Sequence, residues 1–260
     1  MSATVVAQMV SADLLKIRKR RSTVAWAFVL ALAPLLIYFI VSAAQHSSGP
    51  AGHPPAGGVL GYQDALRIVA VLFGPLAAIL IGVDAGAGDS AAGVFRDLVV
   101  TGRSRLALFA TRVPAAIAMT WFVSVVAYAV LAIGIYTLAD GTKTPTAALM
   151  LNGFGFTLLS MSVVCAVAVG FSSLTASKPG ALVALIGWQL VASPILVGID
   201  SLGSARDLVL RAGVNQFAPV ELGGPGSPVS ISNGTALVVI VGWVVVFGAL
   251  GAWRTRTMDA

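Results

Sequence analysis

Six long apolar runs alternate with short polar intervals along the chain: residues 23–44, 65–83, 106–137, 147–171, 181–199 and 235–253. About 20 helical residues, rising 1.5 Å each, cross the ~30 Å hydrocarbon core of a bilayer. Each run therefore reads as a transmembrane helix. The pattern predicts an all-α polytopic membrane protein, residues 1–260 forming one transmembrane domain. Pro34 sits within the first run, where neighbouring helices can satisfy the carbonyl it frees. Gly74-Pro75 falls midway along the second and predicts a bend. The third run exceeds the bilayer thickness, so its start, with Arg112 and Pro114, is expected among headgroups or in the cytoplasm. Tyr128 and Tyr136 fall towards its other end, where aromatic belts lie. In the fourth run Asn152, Gly153, Gly155, Ser160 and Ser162 predict close helix packing and interhelical hydrogen bonds.

Before the first run, Val6, Met9, Val10, Leu14 and Ile17 recur at helical spacing, and Lys16, Arg18, Lys19, Arg20 and Arg21 crowd the end of this stretch. This reads as an amphipathic helix over residues 1–22 lying in the membrane interface. Ser42-Ala43-Ala44 resembles a signal cleavage site, but the apolar run is longer than a signal core, so an uncleaved span is expected.

The intervals differ in character. Residues 45–63 are rich in Gly, Pro and Ser and lack Lys and Arg, as an external loop does. His46 and His53 there have no nearby acidic or Cys companion in sequence, so no metal site is expected. Residues 84–105 form a Gly-punctuated island dense in charge. Residues 138–146 make a short turn, and Lys178 lies in the next loop. Residues 200–233 form the longest polar interval. Within it Leu208, Val209, Val214, Phe217 and Val220 are interleaved with Arg206, Asp207, Arg211 and Glu221. Short external helices fit that pattern, as does a solvated loop. Arg67 lies near the outer end of the second run with Asp64 one turn away, which suggests snorkelling with a local ion pair.

Composition supports the membrane reading. The chain is 58% hydrophobic and 10% charged, with a mean hydropathy of +0.94; soluble domains carry about a quarter charged residues. The net charge of +6 suits basic loops better than nucleic-acid binding. Twelve Lys and Arg fall on the side holding both termini and four on the other, so the positive-inside rule places both termini in the cytoplasm. The single Cys165 forms no internal disulfide and reads as a small packing residue.

Chemical motifs are sparse. There is no phosphate-binding loop, no His-Glu-x-x-His and no Gly-x-Ser-x-Gly elbow. The spans as drawn leave every Asp, Glu, Lys and Arg near a boundary, without a coupling group for an ion-driven transporter. Energy is therefore expected to arrive from a partner.

Two stretches carry a family resemblance. Ser11-Ala-Asp-Leu-Leu-Lys-Ile-Arg-Lys-Arg-Arg leads directly into a span. Gly93-Val-Phe-Arg-Asp-Leu-Val-Val-Thr-Gly-Arg-Ser-Arg comes after the second span. In these features and in span order the chain resembles permease subunits of ABC-2-type exporters. It departs from the family pattern at Val94, where Thr is usual, and at Thr101-Gly102, where Pro is frequent. The resemblance implies an interfacial elbow helix including Asp13, Lys16 and Arg20. It implies a cytoplasmic coupling helix, with Asp89, Gly93, Phe95, Arg96, Asp97, Leu98, Arg103 and Arg105, that docks on a separate ATP-binding-cassette ATPase. It also implies short re-entrant helices within residues 200–233 and a second permease subunit, identical or different. ATP and Mg would be held by the ATPase, with no cofactor and no catalytic residue in this chain. An amphipathic or hydrophobic cargo leaving across a bacterial plasma membrane is the expected function. Two other readings remain open: a membrane-embedded enzyme acting on a lipid or prenyl chain, for which Asp84 with Asp89 is the candidate pair, and a non-transporting scaffold.

Overall fold

The computed structural model describes residues 3–49, 52–91, 93, 104–221 and 231–257. It is helical, with no strand among the described residues. An N-terminal helix, Ala3–Lys19, precedes six helices long and apolar enough to cross a membrane. The first span is Arg21–Ser48. The second comprises Gly58–Arg67, a π-helical stretch Ile68–Leu72 and Gly74–Ala91. The third is Arg105–Thr137 and the fourth Ala147–Thr175. The fifth comprises Lys178–Gly187, a second π-helical stretch Trp188–Ala192 and Ser193–Gly198. The sixth is Asn233–Thr257. At one end of the bundle Arg105, at the start of the third span, reaches the Arg256 carbonyl at the end of the sixth.

The second and fourth spans form the centre of the bundle, 72% and 61% buried, whereas the fifth and sixth are 11% and 22% buried. Lipid tails are as apolar as the side chains, so shape complementarity rather than hydrophobic sorting holds such helices together. Gly86 shows the consequence: a Cβ there would stand 2.5 Å from the Val169 carbonyl oxygen of the fourth span. Gly170 and Gly251 bring the fourth and sixth spans equally close, a Cβ on Gly251 meeting the Gly170 carbonyl oxygen at 2.6 Å. Gly155, by contrast, faces open space, and Asn152 is exposed. Ser160 and Ser162 do bond between helices.

The bend expected at Gly74-Pro75 takes the form of the π-helical stretch. Pro75 has no N–H to offer the Val71 carbonyl. Gln189 Nε2 donates to that oxygen at 3.0 Å, and Ser160 Oγ donates to the Ala70 oxygen at 2.6 Å. Gln189 belongs to the second π-helical stretch, which precedes Pro194 in the same way. Two proline-terminated distortions thus face one another and share a side-chain bond.

Tyr128 does not join an aromatic belt. It is buried, bonds the Tyr62 hydroxyl at 3.0 Å and donates to the Met150 carbonyl at 2.6 Å. The hydroxyl pair ties the second, third and fourth spans together. Tyr136 remains near the surface and donates to the Pro145 carbonyl. His46 bonds the His53 carbonyl and Asp140, and the described residues hold no group of three metal-ligating side chains.

The interval after the fifth span turns back into the bundle. A 3-10 stretch, Asp200–Leu208, is followed by the short helix Leu210–Asn215. The Leu208 carbonyl accepts from Trp243 Nε1 at 2.9 Å. Trp243 lies about 15 Å along the sixth span from Asn233 at 1.5 Å per residue. Gly213 then packs near Ala236, and Gln216 bonds Asn233. The segment descends to the level of Trp243 and climbs again, with Leu210, Ala212, Gly213 and Val214 buried.

Candidate functional site

At the end of the bundle where Arg105 meets Arg256, the second span does not stop at Val83. Its helix continues to Ala91, so Asp84 and Asp89 sit on a helix, 1% and 3% exposed, instead of opening a solvated loop. The second span presents Asp84-Ala-Gly-Ala-Gly-Asp89 to four cations from three other elements. Arg20 lies just beyond the N-terminal helix and places Nη1 2.9 Å from Asp84 Oδ2 and Nη2 3.4 Å from Asp89 Oδ1. The contact at Asp84 Oδ2 is an ion pair and not a hydrogen bond, and Nη1 donates instead to the Asp84 backbone carbonyl at 3.0 Å. Lys178, at the start of the fifth span, pairs with Asp84 Oδ1. Lys16 reaches Asp89 at 3.0 Å and Asp13 at 3.4 Å. Arg112 donates to Asp89 Oδ2 at 2.9 Å and to the Gly86 carbonyl at 3.2 Å.

The two glycines of this motif have separate tasks. Gly86 admits the fourth span, and its carbonyl receives both Arg112 and Ser173. Gly88 makes room for Arg20: a Cβ there would lie 1.9 Å from Nη1. The guanidinium crosses the second span over Gly88 and so bridges the two carboxylates. Asp13 completes the cluster by accepting from Thr111 Oγ1 of the third span at 2.8 Å.

Arg112 departs from its expected place. It does not project into headgroups but is 4% exposed. Taking an ion out of water costs several kcal/mol, recovered only when opposite charges and hydrogen bonds surround it. The carboxylates and Arg112 are interior, while Lys16, Arg20 and Lys178 reach in from the rim with side chains 36%, 28% and 34% exposed. The result is an ionic latch holding the N-terminal helix to the second, third and fifth spans.

The expected site residues divide cleanly. Asp13, Lys16, Arg20 and Asp89 come together in the latch. Gly93 has a left-handed φ of 71°, a conformation a side chain would oppose. Arg105 starts the third span, with Ser104 capping its first turn through Ala107 N. Phe95, Arg96, Asp97, Leu98 and Arg103 lie outside the described residues. Asp84, Gly88, Arg112 and Lys178 belong to the latch although no site role was expected of the last three. Asp-x-Gly-x-Gly-Asp at the close of an apolar run is the signal that points to them. The Asp84 and Asp89 oxygens are engaged by cations, which suits a structural latch better than an acid–base pair.

No protein-family model matches this chain, and no curated protein matches it.

Proposed function

We propose that this chain is the membrane subunit of an exporter driven by ATP hydrolysed on a separate ATP-binding-cassette subunit. The observation that carries the reading is the latch. It joins the N-terminal helix to the roots of the second and third spans, the two elements that flank residues 92–104. A force applied to that interval by a docked ATPase would be delivered to three helices at once, because the buried carboxylates of the second span are held by cations from the N-terminal helix and the third span. Hydrolysis on a separate subunit is in keeping with a sequence that lacks a phosphate-binding loop, and the excess of Lys and Arg on the terminal side supports a cytoplasmic location for both termini. The weakly buried fifth and sixth spans leave apolar faces for lipid or for a second permease subunit. An amphipathic or hydrophobic cargo, exported across a bacterial plasma membrane, fits a bundle with so few charges.

In this reading Phe95 and Leu98 form the apolar ridge of the docking segment. Replacing both with Asp is expected to abolish co-purification of the ATPase from native membranes while leaving the chain inserted. Undiminished assembly and export in that double variant would overturn the docking assignment.

A further inference from the structure

Among the described residues, Arg67 and Arg211 lack the partners that surround every cation of the latch. Asp64 is exposed, and the expected ion pair between it and Arg67 is not formed. Arg67 Nε is buried without a hydrogen-bond partner. Arg211, on the short helix Leu210–Asn215, makes no ion pair or hydrogen bond among the described residues. Burial, and then the neighbouring charge of Arg67, push the Arg211 guanidinium towards easier deprotonation. Two neighbouring cations with no carboxylate paired to either among the described residues constitute an electrostatic deficit that an anion would relieve.

The surroundings indicate where that anion sits. A cavity of about 20 Å³ is lined by Arg211, Ser193, Gln189, Asn215, Ser160 and Val71. About 10–15 Å³ of such volume holds one water-sized atom, so the cavity takes a single oxygen of a larger group. Ser193 Oγ, 1% exposed, lines it and has no hydrogen-bond partner. Val164, Trp188, Gln189 and Leu210 also line an adjoining apolar groove of about 270 Å³, floored by Phe171, Trp243 and Phe247. That groove runs between the fifth and sixth spans, and the fifth is the least buried of the six, so a hydrocarbon chain can reach it from the bilayer. A cationic pocket sized for one oxygen, sharing lining residues with an aromatic-lined groove, has the shape of an anionic amphiphile.

We propose that this composite cavity binds an anionic phospholipid of the bilayer, with a phosphate oxygen against Arg211 and Ser193, the neighbouring charge of Arg67 adding to the attraction, and an acyl chain against Trp188, Trp243 and Phe247. The site stands on its own contacts and does not require the ATPase-driven reading.

The test uses the full chain in nanodiscs, with Trp26, Trp121 and Trp253 replaced by Phe so that Trp188 and Trp243 report. Brominated phosphatidylglycerol, diluted in unlabelled phosphatidylcholine, is expected to quench them more strongly than brominated phosphatidylcholine at the same dilution. Arg67→Gln with Arg211→Gln is expected to weaken the phosphatidylglycerol preference about tenfold, and Arg254→Gln to leave it intact. Inorganic phosphate should not abolish the preference, because the acyl chain contributes to binding. Equal quenching by the two lipids, or a preference surviving the double substitution, would overturn the proposal. Loss of the preference to inorganic phosphate alone would make this a free-anion site and equally overturn the lipid assignment. If the double variant fails to insert, Arg211→Gln and Ser193→Ala singly supply the comparison, with the same readings.

Discussion

Arg112 donates to Asp89 at 2.9 Å across the roots of the third and second spans, and neither side chain is more than 5% exposed. Asp89 is also the carboxylate reached by Lys16 and Arg20. Its loss removes the counter-charge from three cations at once. Asp89→Leu is therefore expected to lower stability by about 3–5 kcal/mol, the usual cost of breaking a buried ion pair. Lys16→Leu removes a side chain 36% exposed and is expected to cost about 1 kcal/mol or less. Thermal unfolding of the two variants in one detergent, followed by scanning fluorimetry, gives the ranking directly.

Gly88 and Arg20 form a second pair whose coupling is measurable. A methyl at position 88 would occupy the space of Arg20 Nη1. Gly88→Ala should then expel the guanidinium from between Asp84 and Asp89. If Arg20→Ala is already present, the methyl has nothing to displace. The double variant is expected to be no less stable than Arg20→Ala alone, giving a coupling energy of about 1–3 kcal/mol in a double-mutant cycle. Additive losses would contradict the placement of Arg20 over Gly88.

The π-helical stretches yield a rescue experiment. Gln189→Leu leaves the Val71 carbonyl without its donor, an expected loss of about 1–3 kcal/mol. Pro75→Ala restores an N–H four residues beyond Val71, where an α-helix would supply the bond. In the Pro75→Ala background the Gln189→Leu penalty is expected to shrink by at least half. A penalty of the same size in both backgrounds, measured by denaturation midpoint, would show that Gln189 acts through something other than this carbonyl.

The six spans were legible because each apolar run is long enough to cross lipid, and the short helix Leu210–Asn215 was foreshadowed by Leu208, Val209 and Val214 alternating with charges. The Gly74-Pro75 bend was legible from the missing amide donor alone. The latch was not, and the reason is tertiary. Asp84 through Ala91 reads as loop because Gly and Asp disfavour helix interiors. The ions that stabilise it there come from Arg20, Arg112 and Lys178, far apart in sequence. Arg112 read as a headgroup contact for the same reason: its carboxylate partner lies on another helix. Asp64 is the acid nearest Arg67 in sequence, but it is exposed and forms no ion pair with Arg67. The stretch carrying Phe95 to Arg103 lies outside the described residues, so its reading rests on the sequence.

Entry of energy into this chain from a separate ATPase is tested most directly by affinity purification of the tagged chain from its native membrane, with subunit identification and an ATP hydrolysis assay on the product. A protein containing a phosphate-binding loop is expected to co-purify in stoichiometric amount and to hydrolyse ATP, and Phe95→Asp with Leu98→Asp is expected to remove both the subunit and the activity. A chain that purifies without such a protein and turns over a lipid substrate unaided would contradict the exporter reading.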